Sequence, residues 1–533
     1  MKILAVIPAR AGSKGIPNKN IKLLNERPLI YYSIKNAISS NYISDIIVTT
    51  DSEEVEIIAK QMGVKIKKRK GSLCGDSVTL DSVIYDASKD EEVDYVITLQ
   101  PTSPMLKSST IDAAIEYMLK NKMDTVISVV NKPHLAWKED HVNNKYPNYT
   151  ERLNRQYLPP YYLETGSFLI TKKSVINENT RIGRKIDVFE VSDLEGIDID
   201  NYFDFKLCAE MMKNPTVGLY VNGNNKRGLG HIYRCLELAD EFYVKPDIYY
   251  DVNETNATSF GNTTHNIIGV RGMEELFDCI KKRKYEIFIN DILNTNLEYM
   301  NKLRKINPSQ KIINFEDVGE GTMRADLIIN ALYNDSTFSK MKTGKDYYIC
   351  SKLFMFYSPI KIMENVKSIF ISFGGADPSN YTDRLLDIIN KEKYKEYKFK
   401  IVLGRAKNNV LELMKQKSEN IEIYYDIKNM PEIMSDCDIA LTSRGRTGYE
   451  LAILGIPTIA MAQNEMEEKH RFISHENGYN YLGLSPSDSL IEANLDAYIM
   501  LTKEEREKIQ KDLLKHDLKN GRKKVMTLIN NLL

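Results

Sequence analysis

Short apolar runs alternate with amphipathic stretches along this chain, and the alternation starts twice. In the first half, residues 3–7, 46–49, 95–99 and 125–129 are rich in β-branched side chains and read as strands. Residues 29–39, 53–62 and 111–120 between them carry helical spacing. Such alternation predicts a mainly parallel sheet covered by helices on both faces. Residues 138–160 show no clear period and read as a long insertion over one edge or a subunit contact. After a plausible linker at 211–215, a fresh strand at 217–221 runs into a Gly-rich turn and a helix. Further strands follow at 287–290, 311–314, 327–330, 368–372, 400–403, 421–424, 439–441 and 458–461, and closing helices fit 503–533. The prediction is α/β throughout, with domains at 1–213 and 216–533. A break at 357–367 divides the second into Rossmann-like lobes at about 216–360 and 365–515.

A chain of 533 residues exceeds one ordinary core. Lys plus Arg and Asp plus Glu are 73 each, so no net charge draws the chain to nucleic acid or an anionic membrane. The apolar opening, 2–8, is too short for a signal peptide, and no stretch approaches the roughly 18 apolar residues of a spanning helix. Six cysteines lie far apart with no C-x-x-C pair, which argues against structural zinc and a disulfide framework. The expectation is a cytoplasmic protein with no membrane insertion.

The first strand runs into Arg10-Ala11-Gly12-Ser13-Lys14-Gly15-Ile16-Pro17-Asn18-Lys19-Asn20. A glycine loop at a strand's carboxyl end lets backbone N–H groups approach a phosphate, and open α/β sheets bind ligands at that edge. Arg10, Lys14 and Lys19 add cationic donors. The segment is not a Walker loop, because G-x-x-x-x-G-K-[ST] is missing. Phosphate cradle and solvated basic loop both fit these residues.

Five segments in order, covering about 1–212, resemble CMP-sialic acid synthetases (acylneuraminate cytidylyltransferases). They are the loop above, Thr50-Asp51-Ser52, Leu99-Gln100-Pro101-Thr102-Ser103-Pro104, Arg155-Gln156 with Glu164-Thr165-Gly166, and Glu195-Gly196-Ile197-Asp198-Ile199-Asp200. The resemblance implies a Rossmann-like, GT-A-like nucleotidyltransferase that joins CMP from CTP to a sialic-acid-like sugar acid. It implies that Asp198 and Asp200 hold Mg²⁺; one residue apart on a strand they would face the same way. It implies triphosphate contacts from Arg10, Ser13, Lys14 and Lys19, cytidine contacts near Asn20 and Arg69, and sugar contacts from Gln100 and Arg155. Ala11, Met105-Leu106 and Thr165 depart from the common pattern. The last two touch the sugar side, so legionaminic or pseudaminic acid fits at least as well as N-acetylneuraminate. Relatives are often dimers, so a homodimer is expected.

In the second half, Gly228-Leu229-Gly230-His231 places a glycine turn at a helix N-terminus, favourable for anions, and aims one histidine into the cleft. Alone, such a histidine is more often structural than catalytic. With Ala325–Asn330, Ser372–Pro378 and Thr447–Ala452 it resembles the UDP-sugar hydrolase of pseudaminic acid synthesis and related spore-coat polysaccharide proteins, which have the two-lobed GT-B architecture. The resemblance implies that Gly230 and Thr447 bind the nucleotide, that Gly374 and Gly375 let the backbone approach its diphosphate, and that Glu450 binds ribose hydroxyls. It implies that His231 activates water at the anomeric carbon of a UDP-sugar. Asp291-Ile292-Leu293 stands where these hydrolases have Asp-x-Tyr, and Arg444 and Arg446 stand where small residues are usual. A glycosyltransferase, or a non-catalytic nucleotide-sugar-binding module, remains open on these residues.

Overall fold

In the computed structural model the strand Ile3–Ala9 is buried along nearly its whole length, because helices cover both faces of its sheet and a strand pairs each edge. The structure describes residues 1–12, 15–75, 77–224, 228–333 and 340–533, and these form two compact units, Met1–Lys213 and Asn214–Leu533. The sheet of the first unit runs Ile186–Glu190, Thr125–Asn131, Tyr162–Lys172, Tyr95–Leu99, Ile3–Ala9, Asp45–Thr50, Lys65–Lys68. It is parallel except for Tyr162–Lys172, which is antiparallel to both neighbours. The order places the carboxyl ends of Ile3–Ala9, Asp45–Thr50 and Tyr95–Leu99 side by side, so the loops carrying Arg10, Asp51 and Gln100 leave one edge together. The aperiodic stretch becomes an exposed hairpin, Trp137–Glu139 with Lys145–Pro147.

The second unit contains two parallel sheets built alike. One is ordered Asn266–Val270, Asp247–Asp251, Val217–Val221, Ile287–Asp291, Lys311–Phe315, Leu327–Asn330, Met341–Thr343. The other is ordered Ile421–Tyr425, Lys398–Leu403, Ser368–Ser372, Ile439–Ser443, Thr458–Ala462, Tyr479–Leu484. In each the first strand lies between the second and the fourth, so the chain reverses its winding there and opens a crevice at the carboxyl ends. This is the doubly wound pair of lobes expected of a GT-B-like domain. One boundary is corrected: the last helix, Gly521–Asn530, buries Val525 and Ile529 among Val217, Leu238 and Phe260 of the first lobe. Gly521 permits that return, since a Cβ there would lie 2.1 Å from the Tyr348 carbonyl oxygen.

Candidate functional sites

In the first unit the basic loop and the acidic segment meet. Lys19 Nζ donates to the Ile199 carbonyl at 2.7 Å and lies 3.9 Å from Asp200 Oδ1. Gly15 packs on the Asp200 backbone so tightly that a Cβ would fall 2.2 Å from its oxygen. Buried Asn20 donates to the Arg10 carbonyl at 3.0 Å, and the Ala11 N–H donates to Asp51 Oδ1 at 2.7 Å. Arg69 is buried and donates to the Thr49 carbonyl at 2.9 Å. Its Nε has no partner among the described residues, and burial lowers its basicity although Asp51 counters this. Ser13 and Lys14 lie outside the described residues.

Asp198 and Asp200 do not lie on a strand, which corrects the expectation; they sit in an irregular segment before the helix Tyr202–Met211. The segment is tied down on both sides. Glu195 accepts from the Lys107 N–H, the Thr110 hydroxyl and the Ser192 hydroxyl, while Asp204 accepts from the Asp200 N–H at 3.0 Å. Asp198 is partly buried, and its Oδ1 is sealed from solvent with no hydrogen-bond donor among the described residues. Burial pushes its carboxyl up; the neighbouring Thr102 hydroxyl opposes this and Asp200 adds to it. A buried carboxylate oxygen without a donor is costly unless a cation faces it. The pair therefore fits a hard divalent ion that shares substrate oxygens. Among the described residues no group of three or more His, Cys, Asp or Glu is arranged for a metal. Arg155 is exposed and, with Gln156, Asn131 and Pro133, lines a separate depression of about 470 Å³ of which Gln100 is not part.

In the second unit the crevices of the two lobes face each other. The turn Gly228–Gly230 meets the loop Gly374–Gly375: a Cβ on Gly375 would lie 3.1 Å from Leu229 Cβ, and one on Gly230 would lie 2.9 Å from Arg446 Cδ. The helices Gly230–Ala239 and Arg446–Leu454 both begin there without a side-chain cap, so no side chain of their N-cap residues occupies their first N–H groups. Thr447 is buried beside them. Burial pushes the Glu450 carboxyl up to about 7, with Arg446 opposing and Glu237 adding. Arg444 and Arg446 turn away from a ligand role: Arg444 donates to the Ile473 and Glu468 carbonyls and covers the Tyr481 ring, and Arg446 donates to the Ile349 carbonyl over the Tyr348 ring.

His231 is held from behind. Its Nδ1 lies 2.5 Å from Asp291 Oδ1, and Arg234 grips the same carboxylate through Nε at 2.8 Å and NH2 at 2.6 Å. Arg234 NH1 reaches Glu316 at 2.9 Å. Burial works against the Asp291 charge, but Arg234 and His231 overcome it and hold the carboxyl at about 2. Buried His470 donates from Nδ1 to the Arg444 carbonyl at 2.6 Å, and burial lowers it to about 4, so it is neutral near pH 7. Sequence reasoning missed Arg234, Glu316 and His470 and read Asp291 only as a departure. The signal for Arg234 was present, since three residues from His231 on a helix is the same face.

The family described as Cytidylyltransferase matches residues 4–190. N-acylneuraminate cytidylyltransferase A of Danio rerio is 34% identical over 215 residues, 39% of this chain and 50% of that protein. The chain thus spans about half of that relative's length. Post-translational flagellin modification protein B of Campylobacter coli is 32% identical over 231 residues, 40% of this chain and 97% of that protein. Among solved structures, Acinetobacter baumannii MurG aligns with 59% of the chain and 99% of its own length, at 14% identity and a TM-score of 0.44.

Proposed function

The chain belongs to the cytidylyltransferase family through its first unit, and on that premise we propose that this unit transfers CMP from CTP to a nonulosonic acid. The anomeric hydroxyl oxygen attacks the α-phosphorus, the bond to the pyrophosphate oxygen breaks, and the hydroxyl proton leaves to solvent. The chemistry asks for charge neutralisation and alignment rather than a covalent enzyme intermediate. Arg10 and Lys19 stand at the loop to bind the triphosphate, with Asn20 and Arg69 on the nucleoside side. Mg²⁺, held by Asp198 and Asp200, would supply neutralisation of phosphate charge. The observation that carries this reading is the donorless Asp198 Oδ1 beside Asp200 and the basic loop. The exposed aromatics Trp137, on the hairpin, and Tyr157 and Tyr162, further along the chain, support a homodimer through this unit.

The second unit, in the same reading, hydrolyses a UDP-linked amino sugar, with water attacking the anomeric carbon and UDP leaving. Support comes from the two uncapped helix starts, the glycine loops and Glu450 in one cleft.

The first test is pyrophosphate release from CTP and Mg²⁺ with a panel of nonulosonic acids, for wild type and Asp200→Ala. Release with one acid, lost at least 100-fold in the variant, is expected on the usual scale of removed electrostatic stabilisation. Silence across the panel from a folded, CTP-binding protein rejects the assigned acceptor. Labelled UDP-sugar, with and without an acceptor sugar, tests the second unit. Free sugar supports hydrolysis, an elongated acceptor supports transfer, and intact bound nucleotide sugar supports a binding module.

A further inference from the structure

Behind His231 lies a buried charge relay that is short of one positive charge. Arg234 is 3% exposed, Asp291 2% and Glu316 2%, so all three are withdrawn from bulk solvent. Asp291 and Glu316 are both carboxylates. Asp291 accepts from Arg234 with both oxygens, and Glu316 accepts from Arg234 NH1, from the Ala331 N–H at 3.1 Å and from the Leu332 N–H at 3.4 Å. Two negative charges thus share one guanidinium. With His231 neutral, the cluster carries one uncompensated negative charge in a desolvated place, which is expensive. With His231 protonated, the cluster is neutral.

The geometry also fixes which nitrogen acts. A carboxylate oxygen only accepts, so Nδ1 of His231 carries hydrogen and donates to Asp291. Arg234 NH2 lies 3.1 Å from that same Nδ1; both are donors, so they meet through the shared carboxylate oxygen. Nε2 is left with its lone pair, and no described residue bonds it. The other charged and titratable groups around the ring do not supply the missing charge. His470, across the cleft, is neutral and donates its Nδ1 hydrogen to a carbonyl, and Arg446, against Gly230, directs its charge to the Ile349 carbonyl and toward Glu450.

We propose that Asp291, Arg234 and Glu316 are positioning residues that set His231 as a proton acceptor at Nε2: Asp291 takes the Nδ1 hydrogen, and Arg234, anchored by Glu316, holds Asp291 in place. Resting on the hydrolase reading, the step balances simply: Nε2 takes a proton from water, the resulting hydroxide oxygen bonds to the anomeric carbon, and the bond to UDP breaks. A histidine meant to donate a proton would gain nothing from this cluster, because losing the proton would restore the buried negative charge.

The test compares the full chain with Asp291→Asn and Glu316→Gln. UDP-sugar turnover is measured from pH 5 to 9, together with ring-nitrogen NMR of histidine-labelled protein, the His231 signal being assigned with His231→Asn. Asp291→Asn should lower kcat about 100-fold with KM nearly unchanged, within the range of acid–base catalysis, and should erase the Nδ1 proton signal. Glu316→Gln, which weakens the hold on Arg234, should lower kcat about 10-fold with KM nearly unchanged, less than Asp291→Asn does, and keep the Nδ1 proton signal. Asp291→Asn turnover within about 3-fold of wild type, or a wild-type His231 with its hydrogen on Nε2 alone, overturns the proposal. If wild type cleaves no UDP-sugar, the hydrolase reading fails and the NMR spectra decide the relay alone. A Nδ1 proton signal lost in Asp291→Asn upholds the relay, and one unchanged in that variant rejects it. Should Asp291→Asn unfold, Glu316→Gln and the wild-type tautomer still give the answer.

Discussion

Gly166 shows how one missing side chain shapes the first site. A Cβ built on it would lie 2.7 Å from Asp198 Oδ2 and 3.1 Å from Asp198 Cγ. Its backbone is not in the left-handed region, so the constraint on this position is space and not conformation. Asp198 cannot yield easily, because the backbone next to it is fixed by the Ile199 N–H donating to the Thr102 carbonyl at 2.9 Å and by Lys19 on the Ile199 carbonyl. Gly166→Ala should therefore push the carboxylate off its place. Displacements near 1 Å at a reacting centre cost about 10²-fold, so pyrophosphate release should fall 10- to 100-fold, on the order of that penalty. The Mg²⁺ concentration for half-maximal rate should rise, while the melting temperature stays close to wild type. An alanine variant with unaltered metal dependence would show that Asp198 does not have to stand where the structure puts it.

The elements legible in sequence were those whose pattern is local. Runs such as SIFIS and ILAVIPA carry β-branched residues and are buried at all but one position each, and they form Ser368–Ser372 and Ile3–Ala9. Asp247–Asp251, Lys65–Lys68 and Tyr479–Leu484 escaped because tyrosine, lysine and aspartate blur the strand period, and neighbouring strands recruit them. The Asp198 segment was misread as a strand because two acids with one spacer look alternating, while its shape is set by Glu195 and Asp204 contacts. The relay behind His231 was illegible for the same reason, since Asp291 and Glu316 lie 60 and 85 residues further on. The helix Arg446–Leu454 carries a titration consequence of its packing. It is buried nearly all round, and Glu450 on it is raised from near 4.5 to about 7 by burial, Arg446 opposing and Glu237 adding. Between those pH values the folded chain keeps a proton that the unfolded chain has released, so stability falls as pH rises through the window. Glu450→Gln removes that slope. Its melting temperature should decline less than that of wild type from pH 5 to 7.5, and parallel declines would mean that Glu450 is not proton-linked to folding.

At the scale of the whole chain, each unit holds its own core and its own complete set of candidate groups. Asp198, Asp200, Lys19 and Arg10 all come from Met1–Lys213, and His231, Asp291, Arg234, Gly374, Gly375 and Glu450 all come from Asn214–Leu533. Neither proposed reaction borrows a residue from the other unit. The two reactions also differ in what they consume: CTP and a sugar acid on one side, water and a UDP-sugar on the other. Two candidate sets drawn from different units predict additive behaviour, as for mutations without shared partners. Asp200→Ala should abolish pyrophosphate release while UDP-sugar turnover stays within about 2-fold of wild type, and His231→Ala should do the reverse. The double variant should lose both to the same extents as the singles. Steady-state rates of the two reactions in the four proteins decide it. A loss of UDP-sugar turnover in folded Asp200→Ala, or a CTP-dependent change in that turnover in wild type, would show that the sites are energetically coupled and that joining them in one chain has a regulatory consequence.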